Sequence, residues 1–225
     1  MEDKLGILFL HHDVNDVVEN NLASMRRQNP DATIVTMGAS CALPNGYSLQ
    51  NTPEVYALHA KQARRSGDWL VCSWFAQRKE RCDKWWVTDW DAYCTMPIRE
   101  YYAAVWKLPL VAPSIRLMHR DPKWFWFRGV KKLPEKFRAY AMGIVPSLYL
   151  VDEDVLGRIC TVLLRERFTA GNAELRFGTA ANWCGFPPCG YSPPGDGIGC
   201  IPWSELPNGK GIFHPVKFHA GVVDL

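Results

Sequence analysis

The apolar run LGILFL, residues 5–10, constrains this chain most, because an amphipathic segment and a second short apolar run come directly after it. Six apolar or Gly residues suit a buried strand and are too few for a buried helix. Asp13 then stands where an N-cap belongs, with Asp16 three positions on as a weak capping-box echo. Val14, Val17, Val18, Leu22 and Met25 recur at helical spacing, and Pro30 closes the element. The β-branched stretch TIVTM, residues 33–37, reads as a second strand. Strand, helix and strand in that order build a parallel pair through a right-handed crossover. The chain is thereby committed to an α/β fold.

The remaining elements extend that sheet. A helix is expected from about Pro53 to Arg65, stopping near Gly67, then strands over Trp69–Phe75 and Trp85–Thr88. Residues 144–151 (IVPSLYLV) read as one further strand, followed by a helix from Asp152 to about Phe168. Its acids lie in the first turn and Arg165 and Arg167 in the last, as the helix dipole favours. Residues 178–215 hold eight Gly and seven Pro, which argues against regular helix or long strand. Trp183, Phe186, Tyr191, Trp203 and Phe213 make that segment too aromatic for a solvated linker. An ordered loop of this length is usually functional. The expectation is one domain over residues 1–225, in a first part of about 1–112 and a second of about 113–225.

Composition sets limits on partners. With 48% hydrophobic and 22% charged residues, the chain is neither disordered nor fibrous. A net charge of +3 gives no strong pull toward nucleic acid. No run of 18 apolar residues occurs, and the acidic start MEDK is unlike a secretion signal, so a cytoplasmic location is expected. The eight Cys form no CxxC pair and read as reduced, mostly buried thiols. A zinc site on Cys184, Cys189, Cys200 and a His is a competing reading.

The sharpest local feature is WWVTDWDAY, residues 85–93. Along extended chain, side chains at i and i+2 point to one side, about 7 Å apart at the Cα level. Asp89 and Asp91 then project together past the carboxyl end of a strand, where open α/β sheets bind ligands. Such a pair can grip one divalent cation, or it can cap the strand and see only solvent. GKGIFHPVK, residues 209–217, adds His214, a good Mn²⁺ ligand, and Lys217, a point charge for a diphosphate.

Together the strand–helix–strand opening, the strand ending in a DxD and the late HPVK resemble GT-A-type glycosyltransferases, in their small soluble members. The resemblance runs from about Leu5 to Lys217 and implies a Rossmann-type, mostly parallel mixed sheet flanked by helices. It implies metal-dependent transfer of a sugar from a nucleotide diphosphate sugar, a UDP-sugar favoured, to a glycan or other hydroxyl acceptor. Carried over, Asp89, Asp91 and His214 hold Mn²⁺ or Mg²⁺, with Asp89 also near the ribose. Lys217 meets the diphosphate, and His11, His12 and Asp13 the nucleoside. Glu174, in NAELRFGTAANWCGF, matches an acid-bearing stretch that faces the acceptor and takes the catalytic role. Trp183 and Trp203 offer flat faces to acceptor sugars. One departure is Trp90, bulky where many relatives carry small or acidic residues.

Residues 119–138 interleave seven Lys or Arg with five aromatic residues. They read as a packed surface loop with snorkelling cations, as a lid over phosphates or sugars, or as a contact for a membrane surface or nucleic acid, the low net charge arguing against the last. Two other classes compete with the enzyme. One is a non-enzymatic nucleotide-sugar or glycan-binding module on the same fold, and the other is the zinc-stabilised interaction domain.

Overall fold

A computed structural model describes residues 3–12, 14–38, 43, 46–48, 67–144, 148–167, 171–193, 197–203 and 205–217. The opening unit is β1 (Leu5–His11), α1 (Asp16–Gln28) and β2 (Thr33–Gly38), with β1 and β2 parallel. Asn15, and not Asp13, caps α1, its side chain accepting from the Val18 backbone N–H at 3.1 Å. Asp13 lies outside the described residues, as does the helix expected over 53–65.

The strand β3 (Tyr47–Ser48) comes next, then the helix α2 (Gly67–Gln77) and the strand β4 (Lys84–Asp89). The α2 segment corrects the strand expected over Trp69–Phe75. Residues 68–74 are all buried, so no polar face marks the helical period. A short run that is apolar all round does not distinguish helix from strand.

Then come β5 (Tyr93–Cys94), β6 (Leu110–Ala112), β7 (Ile115–Leu117) and a 3-10 helix at Phe125–Lys132. The apolar stretch expected as one strand over 144–151 divides between two sheets. β8 (Met142–Ile144) pairs with β7, and β9 (Leu148–Asp152) joins the main sheet. The helix α3 (Glu153–Glu166) then runs where the sequence places it.

The Gly/Pro-rich quarter is more regular than expected. The helix α4 (Ala173–Trp183) passes straight through Gly178, and after β10 (Cys189–Gly190) the strand β11 takes Gly197–Trp203. These glycines serve close approach. A Cβ at Gly178 would stand 2.4 Å from the Met142 carbonyl oxygen, and one at Gly197 would stand 2.0 Å from the Phe213 ring. The last described strand is β12 (Ile212–Val216).

Among the described residues the central sheet has seven strands in the order β10-β6-β9-β4-β1-β2-β3. β1 is parallel to β2 and β4, β2 to β3, and β10 to β6; β9 alone runs antiparallel to its neighbours. Alternation along β1 and β4 sorts the core. Leu8, Leu10, Trp85 and Val87 face one cluster with residues of α2, α3 and α4, while Ile7, Phe9 and Trp86 face another with residues of α1. The fold class is mixed α/β, as the sequence predicts. No helix among the described residues is long and apolar enough to cross a membrane.

Candidate metal and nucleotide site

Asp89 is the last residue of β4, registered opposite Leu10 of β1, so it stands at the carboxyl end of two parallel strands. The chain turns at once through Trp90 and Asp91, closed by the Ala92 N–H donating to the Asp89 carbonyl at 3.2 Å. The two carboxylates therefore converge across a turn and not along the extended chain that the spacing suggested.

Pairing brings in the distant His. β5, directly after the turn, is antiparallel to β12 with Tyr93 opposite Phe213 and Cys94 opposite Ile212. Continuing that ladder, the Val216 N–H donates to the Asp91 carbonyl at 2.6 Å. One ligand atom from each of Asp89, Asp91 and His214 lies within 4.8 Å of the others, the one such grouping of three His, Cys, Asp or Glu among the described residues. His214 Nε2 is 3.0 Å from Asp91 Oδ1, and these side chains are 13% and 10% exposed. Lys217 Nζ lies 3.6 Å from Asp91 Oδ2 and 5.3 Å from the centre of the Trp90 ring. His12 meets the same ring edge-on, at 5.1 Å between centroids.

The buried edge of α1 fixes this turn. Asn21 Nδ2 donates to the Trp90 carbonyl at 3.0 Å and to the Val216 carbonyl at 3.1 Å. Ser24 Oγ donates to the Asn21 carbonyl and accepts from the Cys94 N–H. Asn29 Oδ1 accepts from the Ile98 N–H at 2.9 Å. Sequence reasoning passed over all three. For Asn21 and Ser24 the signal was a polar side chain among the apolar positions of an amphipathic helix, Val17, Val18, Leu22 and Met25, whereas Asn29 follows that helix as its C-cap.

Other expected residues fall at varied distances from this group. His11 ends β1, is buried, and does not join the three-residue cluster. Trp183 ends α4 with its ring against Phe137 and Tyr140, at 4.6 and 4.8 Å. Trp203, 39% exposed, stands on β11 beside the strand that carries His214, edge-on to Phe213. Neither Cys184 nor Cys189 belongs to a three-ligand group among the described residues, and the Cys200 side chain lies outside them.

Glu174 sits in the first turn of α4, which Asn172 caps by accepting from the Leu175 N–H. It lines a cavity with Leu10, Asp68, Val87, Ile144, Tyr149 and Phe177. Burial, then the charges of Asp89 and Asp68, push its carboxyl up to about 7. The cavity of about 20 Å³ has room for a water molecule and none for a sugar ring. Below it, Arg176 forms a fully buried bidentate pair with Asp68, both bonds 2.7 Å, and donates to the Gly171 carbonyl. That pair holds α4 against α2, and its sequence signal was an Arg inside the apolar stretch LRFGTAA.

The donor set suits a hard divalent cation. Two carboxylate oxygens and an imidazole nitrogen match Mn²⁺ or Mg²⁺ better than a soft metal. Asp91 binds both His214 and Lys217, so one carboxylate gathers the two groups. The fold and site define an α/β protein with a candidate metal-ligating cluster at the carboxyl ends of its parallel strands.

No protein-family model matches the chain, and no curated protein is detectably similar to it. Among solved structures it is similar to the galactosyltransferase LgtC in complex with donor and acceptor sugar analogues, with 10% identity and a TM-score of 0.43. That alignment covers 78% of this chain and 69% of that one. A likeness this distant carries no functional argument.

Proposed function

We propose that this protein is a metal-dependent glycosyltransferase that moves a sugar from a nucleotide diphosphate sugar, a UDP-sugar favoured, to an acceptor hydroxyl. One observation carries the reading: Asp89, Asp91 and His214 converge, with Lys217 beside them, at the carboxyl end of β4. Asp89, Asp91 and His214 would hold Mn²⁺ or Mg²⁺, which when bound supplies Lewis-acid stabilisation of a leaving diphosphate.

The protein's own groups do the rest. The Lys217 ammonium faces the leaving diphosphate and offsets its charge. His11, which ends β1, contacts the nucleoside together with His12 and Asp13, and Trp90 bounds the donor pocket between His12 and Lys217. Glu174, poised at about 7, takes the proton of the acceptor hydroxyl through a water molecule that its small cavity admits, as the acceptor oxygen bonds to the anomeric carbon and the sugar–phosphate bond breaks. The acceptor stacks on Trp203 rather than on Trp183, whose ring is occupied by Phe137 and Tyr140. In this reading residues 1–225 form one domain, nucleotide side first.

Titration calorimetry with UDP, with and without Mn²⁺, tests the assignment. Mn²⁺ is expected to tighten UDP binding in the wild type, and Asp91→Ala to remove that increment while far-ultraviolet circular dichroism stays unchanged. A wild-type affinity indifferent to Mn²⁺ overturns the reading.

A further inference from the structure

The described residues include six exposed large apolar side chains, and three of them, Met118, Phe125 and Tyr140, fall within residues 118–140. Phe125 is the most exposed, at 53%. The overlapping stretch 119–138 carries seven Lys or Arg against two acids, in a chain whose total charge is +3. The other residues are therefore net negative, so the basic character is local.

The geometry makes one face of this stretch. Residues three apart eclipse in a 3-10 helix. Along Phe125–Lys132 the row Phe127 and Val130 is buried, while the row Phe125, Arg128 and Lys131 is exposed, with Lys132 beside it. The Arg128 guanidinium lies 4.6 Å from the Phe125 ring centre. Just before the helix, Trp124 lies over Gly143, where a Cβ would be 2.1 Å from its ring, and Gly143 pairs with Arg116. The helix thus sits on the β7–β8 ladder, whose last pair, Leu117 and Met142, puts Met118 and Tyr140 at one end. Arg120, Lys123, Arg128, Lys131 and Lys132 form no ion pair with any described acid, whereas Arg116 pairs with Asp121 and Lys136 with Glu166.

We propose that this face, centred on Phe125, Arg128, Lys131 and Lys132, docks the protein on an anionic lipid membrane. Cations attract an anionic leaflet, and a projecting apolar ring enters its interface. Single-stranded nucleic acid needs a series of open aromatic faces. Here Trp124 is spent on Gly143 and packs edge-on to Phe127, which is itself buried. The surface does not rest on the proposed reaction and stands if that reading fails.

Vesicle co-flotation of the full chain tests it, using phosphatidylcholine alone and phosphatidylcholine with about one-third phosphatidylserine. Binding is expected only to the anionic vesicles and is expected to weaken as salt rises. Lys131→Ala with Lys132→Ala should lower the partition coefficient about 25-fold, at about fivefold per cation. Phe125→Ser should lower it about tenfold. Lys79→Ala, an exposed cation on another part of the surface, should change nothing. These side chains are exposed, and thermal melts check that each variant folds. Failure to prefer anionic vesicles overturns the proposal, as does wild-type partitioning in both the double variant and Phe125→Ser. Tighter binding to a mixed-sequence single-stranded oligonucleotide than to vesicles assigns the face to nucleic acid and also overturns it.

Discussion

The side-chain amide of Asn21 donates to the carbonyl oxygen of Val216 at 3.1 Å, joining residues 195 positions apart. Its second bond, to the Trp90 carbonyl, ties the acidic turn to the strand that carries His214. Asn21→Leu leaves one buried and one partly buried carbonyl without this donor and should lower stability by about 1–3 kcal/mol. Mn²⁺ affinity should fall about tenfold, as it does when support behind metal ligands is lost. Calorimetry with Mn²⁺ on a variant that still melts cooperatively reads the effect, and an unchanged affinity removes Asn21 from the site's support.

Lys217 is expected to act on the nucleotide and not on the cation. Lys217→Ala should weaken UDP binding about tenfold while Mn²⁺ affinity does not fall, because an ammonium beside Asp91 competes with a metal. A drop in both affinities together would mean that Lys217 shapes the carboxylates and does not contact the diphosphate.

Glu174 makes stability and rate depend on pH in opposite directions. Its folded-state carboxyl is raised from 4.5 to about 7, so the folded protein holds this proton more tightly than the unfolded chain. Stability therefore falls as pH rises between those values, by about 3 kcal/mol at most. Glu174→Gln should melt above the wild type at pH 8 and level with it below pH 4. Transfer in the wild type should rise with pH to a plateau above about 7 and drop at least 100-fold in the Gln variant. Melting curves and kcat/KM profiles separate the two effects.

Glu153 has the reverse sign. Burial pushes its carboxyl up, but donors from Arg81, the Cys82 backbone, Arg78 and the Trp85 indole outweigh burial and hold it at about 2. Its contribution is complete above the ordinary value of 4.5 and is lost as pH falls toward 2. Glu153→Gln should cost about 2–3 kcal/mol at pH 7, with the gap closing through that acid window. A gap independent of pH would assign the loss to packing alone.

Gly6 gives a test of the sheet itself. It pairs with Trp85, and a Cβ there would stand 2.2 Å from the indole ring. Gly6→Ala should destabilise by about 1–3 kcal/mol, because the buried ring has no free space to move into. Urea midpoints measure it.

The legible parts of the sequence were those with one wet face or a clean boundary. α1 shows its apolar stripe, β1, β2 and β4 are short apolar or β-branched runs, and α3 carries its charges at the correct ends. The acidic pair and the HPVK segment were legible as chemistry, and pairing of β5 with β12 supplies what the spacing left open. α2 was not legible, because Trp69 to Trp74 are buried all round and periodicity needs a polar side. Gly178 and Gly197 misled for a different reason: a glycine required by a neighbour's close approach is spelled like a glycine required by a turn. Asn21 and Arg176 stand in the sequence as polar residues among apolar ones, but what each of them holds is revealed only by long-range partners.

The pairing of β5 with β12 also sets an order of assembly during synthesis. Asp89 and Asp91 leave the ribosome more than 120 residues ahead of His214. Until then the nascent chain holds two carboxylates with neither the imidazole nor the ammonium that later face them. A product ending short of residue 212 has every described strand of the central sheet but only the acidic half of the cluster. The cluster therefore closes only after residues 212–217 have emerged and paired with β5, later than the last described strand of the central sheet.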